Sequence, residues 1–429
     1  MASQLAAPMH IKSWHTILLL TVLSFALVLA EIPRQDWFTT AAMSLGAGVT
    51  AFSLMGAAAL LGGRWRFIEA LFGGLDRMYL THKWLGVWAL GFASFHLAFK
   101  AGMQGWETDS IMALSPFYTR LVRQLSFVAL MLIVMLALNR KIPYGTWRWW
   151  HKLSGPLFLI VILHWLSFKT PIAIDEPAGI WLAILAALGV VSAAYKLLLF
   201  PFLSSHAEYE IASVSAGAAA VHLELKPVKR PIRFTPGQFA FISIKEEGLR
   251  EPHPFTIASG TEPNGRVHFV IRSLGDYTQK LVKEATAGMR ADIYAPWGGF
   301  KRGATSKREV WIAGGVGISP FIAWLTDSSA AGLENVTLFY LFSRGREFPS
   351  VDVLSELARE RGAELIPVSG GPESAEFTER FSEIVRTAGA GSVEISFCGP
   401  KGLLNVVRAH MKKHGVPSAN LRHEYFEFR

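Results

Sequence analysis

Cysteine and charge are both scarce in this chain of 429 residues. The single cysteine, Cys398, excludes an intramolecular disulfide and any zinc or iron–sulfur site held by four cysteines of this chain. Charged residues make up 17% of the sequence and hydrophobic residues 51%. This balance is too apolar for an ordinary soluble protein, so the composition predicts a part embedded in a lipid bilayer.

A basic stripe with interleaved aromatic residues is also lacking, although the formal net charge is +9. Many of the cations lie instead in short connections beside long hydrophobic runs. Nucleic-acid binding needs cations clustered on one face, whereas membrane proteins carry an excess of Lys and Arg in their cytoplasmic loops. We therefore predict no nucleic-acid partner and attribute the charge to membrane topology.

Long hydrophobic runs are confined almost entirely to the first 203 residues. A helix needs about 20 residues to cross a hydrocarbon core of roughly 30 Å. Six runs approach that length, and the first is followed by Glu31-Ile32-Pro33-Arg34 rather than by a small-residue cleavage site, which indicates a retained helix. We predict six transmembrane helices near residues 14–31, 38–62, 82–101, 120–138, 150–168 and 177–200.

The connections between these runs alternate in charge. Cations are concentrated in the second and fourth connections, which hold Arg64, Arg66, Arg77, Arg140, Lys141 and Arg148. Because cytoplasmic loops are enriched in Lys and Arg, these two connections and both chain termini are predicted to lie in the cytoplasm. The soluble half would then face the cytosolic nucleotide pool.

The remaining sequence has the alternating, turn-rich pattern of a soluble fold. Short strands separated by Pro and Gly predict a small antiparallel barrel at 204–306, with strands at 220–225, 239–244 and 267–271. Apolar strands followed by helix-like segments predict a doubly wound parallel sheet at 307–429, with strands at 310–313, 336–342 and 393–398. The membrane part is predicted to end at residue 203.

Four histidines lie in two of the predicted spans. His82 and His96 are fourteen residues apart, and His151 and His164 are thirteen apart. At a rise of about 1.5 Å per residue these separations are roughly 20 Å, so each helix would offer imidazoles at two depths of the bilayer. A lone histidine often only bonds a neighbouring helix, but two matched pairs favour axial ligation of two haem irons.

The spacing of thirteen is not regular for one face of a helix. His151 and His164 would lie about 140° apart on an ideal helix, whereas a spacing of fourteen leaves about 40°. Gly155-Pro156 lies between them, and proline permits a kink because it lacks an N–H. We expect the fifth span to be kinked or rewound there.

Several short motifs follow in the soluble half. His253-Pro254-Phe255-Thr256-Ile257-Ala258-Ser259 is followed by Arg272-Ser273-Leu274-Gly275-Asp276-Tyr277-Thr278, where a helix is expected to begin near Thr278. Gly314-Gly315-Val316-Gly317-Ile318-Ser319-Pro320 comes directly after a predicted strand and opens a helix, which is the context of a phosphate-binding glycine loop. Phe397-Cys398-Gly399-Pro400 ends the last of the predicted strands.

These motifs, the two histidine spacings and Leu75-Asp76-Arg77-Met78-Tyr79-Leu80-Thr81-His82-Lys83 resemble the NADPH oxidase (NOX) and ferric reductase superfamily. The chain is similar to its prokaryotic members over nearly its whole length. The resemblance implies six transmembrane helices followed by a ferredoxin-NADP reductase-like module. It also implies two b-type haems, an inner one held by His82 and His151 and an outer one held by His96 and His164.

The resemblance further implies residues that bind FAD and NADPH. Thr256 would hydrogen-bond the isoalloxazine near N5, and Cys398 would lie beside the nicotinamide, although a buried structural thiol is the alternative reading. The FAD residues implied are His253, Pro254, Phe255, Thr256, Arg272, Ser273, Gly275, Asp276, Tyr277 and Thr278. The NADPH residues implied are Gly314, Gly315, Gly317, Ser319, Pro320, Arg344, Arg346, Cys398, Gly399 and Pro400.

Two further assignments concern the preference for NADPH over NADH and the aromatic residue that covers the flavin. Arg344 and Arg346 lie where relatives grip the 2′-phosphate, and two guanidinium groups favour NADPH over NADH, although a solvated loop would look the same. Relatives also place an aromatic residue near the chain end against the flavin. Phe426 and Phe428 are both candidates for that position.

The electron acceptor is left open by a departure from the family pattern. Eukaryotic superoxide-producing members have an additional histidine after the outer ligand and an arginine in the second span. Here these places hold Lys100 and small or apolar residues. Lys100 could supply positive charge to superoxide or could extend to the membrane interface.

We expect an integral protein of a bacterial plasma membrane that oxidises NADPH and reduces oxygen to superoxide. A ferric chelate reductase using the same electron route is the alternative, and a non-enzymatic haem protein is a third class. No calcium-binding helix pair precedes the spans and no long insertion interrupts the soluble half, so we expect activity without an obligatory regulatory subunit.

Overall fold

The computed structural model describes residues 10–139, 141–217, 220–303, 305–329 and 332–424. Within these residues the chain forms two compact units, 10–203 and 204–424. The first unit is helical. Its helices are α1 (Ser13–Glu31), α2 (Thr40–Gly62), α3 (Arg66–Phe72), α4 (Leu75–Ala98), α5 (Pro116–Leu138), α6 (Tyr144–His151), α7 (Ser154–Ser167), α8 (Pro177–Ala194) and α9 (Phe200–Leu203).

Each of the six predicted spans is helical. Among the described residues, four helical segments are long and apolar enough to cross a membrane: Ser13–Glu31, Thr40–Gly62, Pro116–Leu138 and Pro177–Leu203. The other two spans carry the four histidines. Helix α4 is long, at 24 residues, but includes Asp76, Arg77 and Lys83, and α7 has only 14 residues. The two spans least suited to a lipid environment are therefore those that carry the paired histidines.

The ends of the helices follow from local sequence. Thr39 caps α2, and its hydroxyl accepts a hydrogen bond from the N–H of Ala42 at 3.2 Å. Helices α5 and α8 begin with Pro116 and Pro177, where a proline has no N–H to leave unbonded. Helix α4 begins at Leu75, seven residues before the predicted start of the third span.

The fifth span is broken, as the thirteen-residue spacing requires. Helix α6 ends at His151 and α7 begins at Ser154, so the break lies just before Gly155-Pro156. Pro156 has no N–H, so the carbonyl of Lys152 cannot receive the usual bond from the residue four positions later. It accepts a bond of 3.4 Å from Gly155 instead.

The core of this unit lies between helices α1, α2, α5, α7 and α8. Phe52 of α2 contacts Phe158 and Trp165 of α7, with ring centroids 5.5 and 5.6 Å apart. Small residues line much of α2, and its buried positions include Ser44, Gly46, Ala47, Ala51 and Gly56. Small residues let helices approach closely, so α2 occupies the centre of the bundle.

The second unit begins with the predicted antiparallel barrel. Its strands are β1 (His206–Ala216), β2 (Ala220–Pro227), β3 (Phe239–Ile244), β4 (His253–Thr256), β5 (Val267–Arg272) and β6 (Arg290–Trp297), with α10 (Asp276–Glu284) between the last two. The strand order is β4-β3-β6-β1-β2-β5. A bridge between Ile257 and Phe269 joins the two edges, and apolar side chains from every strand fill the interior.

A five-stranded parallel sheet follows, in the order β11-β10-β7-β8-β9. Its strands are β7 (Arg308–Gly314), β8 (Val336–Leu341), β9 (Glu364–Val368), β10 (Val393–Cys398) and β11 (Leu421–Glu424). The helices are α11 (Ser319–Thr326), α12 (Val351–Glu360), α13 (Ala375–Ala388) and α14 (Lys401–Lys413). Strand order reverses between β7 and β10, and ligands of such sheets bind at the carboxyl ends of the strands at that point.

Candidate functional site

The four histidines form two pairs in the helical unit. The ring centroids of His82 and His151 are 5.9 Å apart with an interplanar angle of 77°, and those of His96 and His164 are 6.3 Å apart at 86°. With metal–nitrogen bonds of about 2 Å and about 1 Å from nitrogen to ring centre, two imidazoles on opposite sides of one metal have centroids roughly 6 Å apart. The spacing of each pair would therefore allow its two imidazoles to hold one metal ion between them.

The imidazoles of α4 are oriented by the backbone of α2. Nδ1 of His82 donates to the carbonyl oxygen of Ala58 at 2.8 Å, and Nδ1 of His96 donates to that of Ser44 at 2.9 Å. A carbonyl only accepts, so each Nδ1 carries the proton and each Nε2 has a free lone pair for a metal. This contribution of α2 could not be predicted, because a main-chain carbonyl leaves no signature in the sequence.

The imidazoles of α6 and α7 are held differently. Nδ1 of His151 and Nδ1 of His164 are buried, and neither has a hydrogen-bond partner among the described residues. Trp147 stacks on His151 with centroids 5.2 Å apart, and Phe168 lies 4.3 Å from His164. Packing against aromatic rings therefore orients these two side chains. Lys100, which follows α4, is exposed.

The first flavin motif forms β4 and the residues after it. Thr256 is buried, and its hydroxyl has no hydrogen-bond partner among the described residues. A buried hydroxyl without a partner is costly, which is consistent with a ligand atom as its partner. His253 stacks on Tyr277 at 3.7 Å, and Phe255 lies parallel to Tyr277 at 6.5 Å. Pro254 pairs with Phe241 of β3.

The second flavin motif joins β5 to α10. Arg272 ends β5, Ser273 is half-buried, and Gly275 precedes the first residue of the helix, Asp276. The helix therefore begins two residues before the predicted start. The Thr278 hydroxyl accepts from the N–H groups of Leu274 and Gly275 at 2.9 and 3.0 Å, which fixes the turn.

The glycine loop meets the last motif at the point where strand order reverses. A Cβ built at Gly317 would lie 2.2 Å from the carbonyl oxygen of Cys398, and one built at Gly399 would lie 3.1 Å from the backbone of Gly314. Gly315 has a φ of +57°, which favours glycine. Gly317 therefore has no room for a side chain, and Gly399 has little. Ser319 and Pro320 lie in the first turn of α11, and Pro400 precedes α14.

The remaining predicted residues differ in accessibility. Cys398 is fully buried, and burial together with the nearby Glu424 raises the pKa of its thiol. Such a thiol stays protonated at neutral pH and does not act as a nucleophile. Arg344 and Arg346 are exposed after β8, and Nε of Arg344 donates to the Ser369 hydroxyl at 3.4 Å. Phe426 and Phe428 lie outside the described residues.

Known families match part of each unit. Residues 47–162 match the ferric reductase like transmembrane component, and residues 208–314 match an FAD-binding domain. The chain belongs to the NADPH oxidase and ferric reductase-like superfamily. This superfamily member is an integral membrane protein with an FAD-binding domain.

Individual relatives match parts of the chain. It is 24% identical over 308 residues to ferric/cupric reductase transmembrane component 2 of Saccharomyces cerevisiae, covering 68% of this chain and 41% of that protein. It is 25% identical to NADPH oxidase 3 of Rattus norvegicus, covering 52% and 49%. The FAD/NAD-binding domain of a nitric oxide dioxygenase from Vibrio cholerae is 19% identical, with a TM-score of 0.44 and coverage of 51% and 98%. The chain spans 34% to 59% of the length of the first relatives it matches.

Replacing Gly317 with alanine is expected to weaken nucleotide binding by about tenfold or more, because a Cβ there would overlap the carbonyl of Cys398 and displace the loop. Gly391→Ala is the control, since a Cβ at that position meets nothing within 4 Å. Titration of both purified variants with NADPH would measure this. Equal affinities in the two variants would contradict the assignment of the loop.

Proposed function

We propose that this protein is a transmembrane NADPH oxidase. It moves electrons from cytosolic NADPH through FAD and two haems, each held between two histidines, to oxygen on the far side of a bacterial plasma membrane. One NADPH then yields two superoxide ions and a proton. The observation that carries the proposal is the pair of imidazole–imidazole contacts, one between His82 and His151 and the other between His96 and His164.

FAD would accept one hydride, and with it two electrons, whereas haem would pass single electrons, so together these groups would supply two-to-one conversion and a route through lipid. Residues of this chain are proposed to bind and orient these groups. The Thr256 hydroxyl is proposed to donate to the flavin, and the N–H groups at the start of α10 are proposed to bind its phosphates. The proposed domains are 1–203 for haem, 204–306 for FAD and 307–429 for NADPH.

The proposed direction of electron transfer, from the cytoplasmic side to the outer side, follows from the positive charge of the loops. The predicted second and fourth connections, with Arg64, Arg66, Arg77, Arg140, Lys141 and Arg148, are assigned to the cytoplasm together with both termini. In the structure Arg77 lies in the first turn of α4 and Arg148 lies in α6. This topology assigns His82 and His151 to the inner haem and His96 and His164 to the outer one. No regulatory subunit is included in the proposal, so purified protein loaded with its cofactors should oxidise NADPH unaided.

A ferric chelate reductase with the same electron route is the second candidate. Lys100 and small or apolar residues stand where superoxide-producing relatives have a histidine and an arginine. The yeast ferric/cupric reductase also matches 68% of this chain. The two candidates share every proposed cofactor and differ only in the acceptor at the outer haem.

Substitution of the four histidines tests whether the two imidazole pairs hold haem. Each of His82→Ala, His96→Ala, His151→Ala and His164→Ala is expected to reduce the haem content from two per chain to about one, because each removes one of the two histidines that would hold a haem. Dithionite-reduced minus oxidised spectra and haem extraction would measure the content. His222→Ala, in the barrel, should keep both haems. Four variants that retain full haem content would refute the proposed sites.

The acceptor can be identified from initial rates. With oxygen as sole acceptor, NADPH oxidation should be accompanied by cytochrome c reduction that superoxide dismutase abolishes. With an Fe(III) chelate under anaerobic conditions, an oxidase should be at least about tenfold slower in kcat/KM, which corresponds to about 1.4 kcal/mol. The reverse ratio would select the ferric reductase. Failure of NADPH to bleach bound FAD anaerobically would instead support a non-enzymatic haem protein.

Nucleotide preference tests the two exposed arginines. Arg344→Ala or Arg346→Ala should raise KM for NADPH by roughly 10- to 100-fold, because a hydrogen bond to a charged group contributes about 1.5–3 kcal/mol. KM for NADH should stay unchanged, since NADH lacks the 2′-phosphate. Arg359→Ala is a suitable control, because Arg359 is exposed on α12 and pairs with Glu356. Parallel increases for both nucleotides would argue against the assignment.

A further inference from the structure

Helix α2 presents the same local arrangement to α4 twice. Ser44 and Ala58 are the residues whose carbonyls bind the two imidazoles, and they are fourteen residues apart, like His82 and His96 themselves. Gly48 and Gly62, each four residues further along α2, also face these imidazoles and also lie fourteen apart. Because α2 and α4 run antiparallel, Ser44 meets His96 and Ala58 meets His82.

The two carbonyls have a specific chemical effect. A helix carbonyl has two lone pairs, so it can accept a bond from an imidazole while it also accepts the helical bond. Donation from Nδ1 fixes the ring rotation, selects the tautomer with a free Nε2 and makes that nitrogen a better metal ligand. His151 and His164 show no such bond among the described residues, so the control by hydrogen bonding lies on the α4 side.

The two glycines differ in how much space they leave. A Cβ at Gly48 would lie 2.7 Å from Nδ1 and 2.9 Å from Cε1 of His96, too close without displacement of the ring. A Cβ at Gly62 would lie 3.7 Å from Cε1 and 3.9 Å from Nδ1 of His82, which is ordinary van der Waals contact. The outer pair therefore depends on glycine and the inner pair tolerates alanine.

A further contact ties α2 to the end of α4. The Ser44 hydroxyl donates to the carbonyl oxygen of Phe99 at 2.7 Å, and Phe99 directly follows the last turn of α4, which contains His96. Ser44 thus contacts this turn through both its main chain and its side chain. The position of His96 is fixed more tightly by α2 than that of His82, whose ring makes one hydrogen bond to α2 among the described residues, to the carbonyl oxygen of Ala58.

We infer that α2 is the positioning helix of both histidine pairs and that Gly48 is the residue on which the geometry of the outer haem depends. The inference rests on the proposed function, because it presupposes that the pairs hold haem. Gly48 touches no reacting atom and acts through the His96 ring. Its effect is therefore on haem affinity and on the reduction potential of one haem.

The test compares Gly48→Ala with two matched variants of the full-length protein expressed with haem. Gly48→Ala should bind the outer haem about 10- to 100-fold more weakly or shift its potential, which is the usual scale for groups that orient metal ligands. Gly62→Ala should keep two haems at wild-type potentials. Gly46→Ala introduces a Cβ 2.5 Å from the Phe25 ring, on another side of α2, and should leave the outer haem in place.

Haem content and redox titrations followed in the visible spectrum give the readout. Retention of the inner haem in Gly48→Ala would show that the bundle is folded. Should that variant not accumulate, Gly62→Val supplies the same test at the inner site, where the added methyl groups should crowd His82 and Gly62→Ala should not. Selective loss or shift at the crowded site is the expected result.

The inference is overturned if Gly48→Ala keeps both haems at wild-type potentials, or if Gly46→Ala disturbs the outer haem equally. Where Gly48→Ala does not accumulate, the inference is overturned if Gly62→Val leaves the inner haem unchanged, or if Gly62→Ala disturbs that haem as much as Gly62→Val does. Wild-type protein with no porphyrin would be a separate result, since it would refute the proposed function rather than the role of α2.

Discussion

The helical unit depends on the requirement that polar groups inside a bilayer have partners. A polar group without a partner is costly in hydrocarbon, and four imidazoles lie in helices α4, α6 and α7. Two are bound to carbonyls of α2, and all four approach one another in pairs. A central helix made of small residues is what permits this arrangement, because larger side chains would separate α2 from α4.

The soluble unit is governed by a comparable constraint, the close approach of two backbones. Gly314 and Gly317 meet Cys398 and Gly399 at the carboxyl ends of β7 and β10, with no room for a Cβ at Gly317. This contact brings the glycine loop and the last motif together at the reversal of strand order. In the barrel, the buried hydroxyl of Thr256 at the end of β4 has no partner among the described residues. It lies next to the bridge between Ile257 and Phe269 that joins the two sheet edges.

Much of this architecture could be predicted from the sequence, because periodic patterns report local structure. The histidine spacings predicted paired imidazoles and a break in the fifth span, and alternating apolar residues located the barrel strands. The exact position of the break could not be predicted, since helix ends depend on tertiary contacts as well as on proline. The role of α2 could not be predicted for another reason. The groups of α2 that orient the imidazoles are main-chain carbonyls, which every residue has.

The short length of α7 has a consequence for the surrounding lipid. Fourteen residues rise about 21 Å, less than the roughly 30 Å of a typical hydrocarbon core. The preceding α6 carries Trp149 and Trp150, both exposed, and tryptophan favours the headgroup region. A span shorter than the hydrocarbon core is accommodated by local thinning of the bilayer or by side chains at the interface, and the exposed Trp149 and Trp150 extend the lipid-facing surface beyond the start of α7.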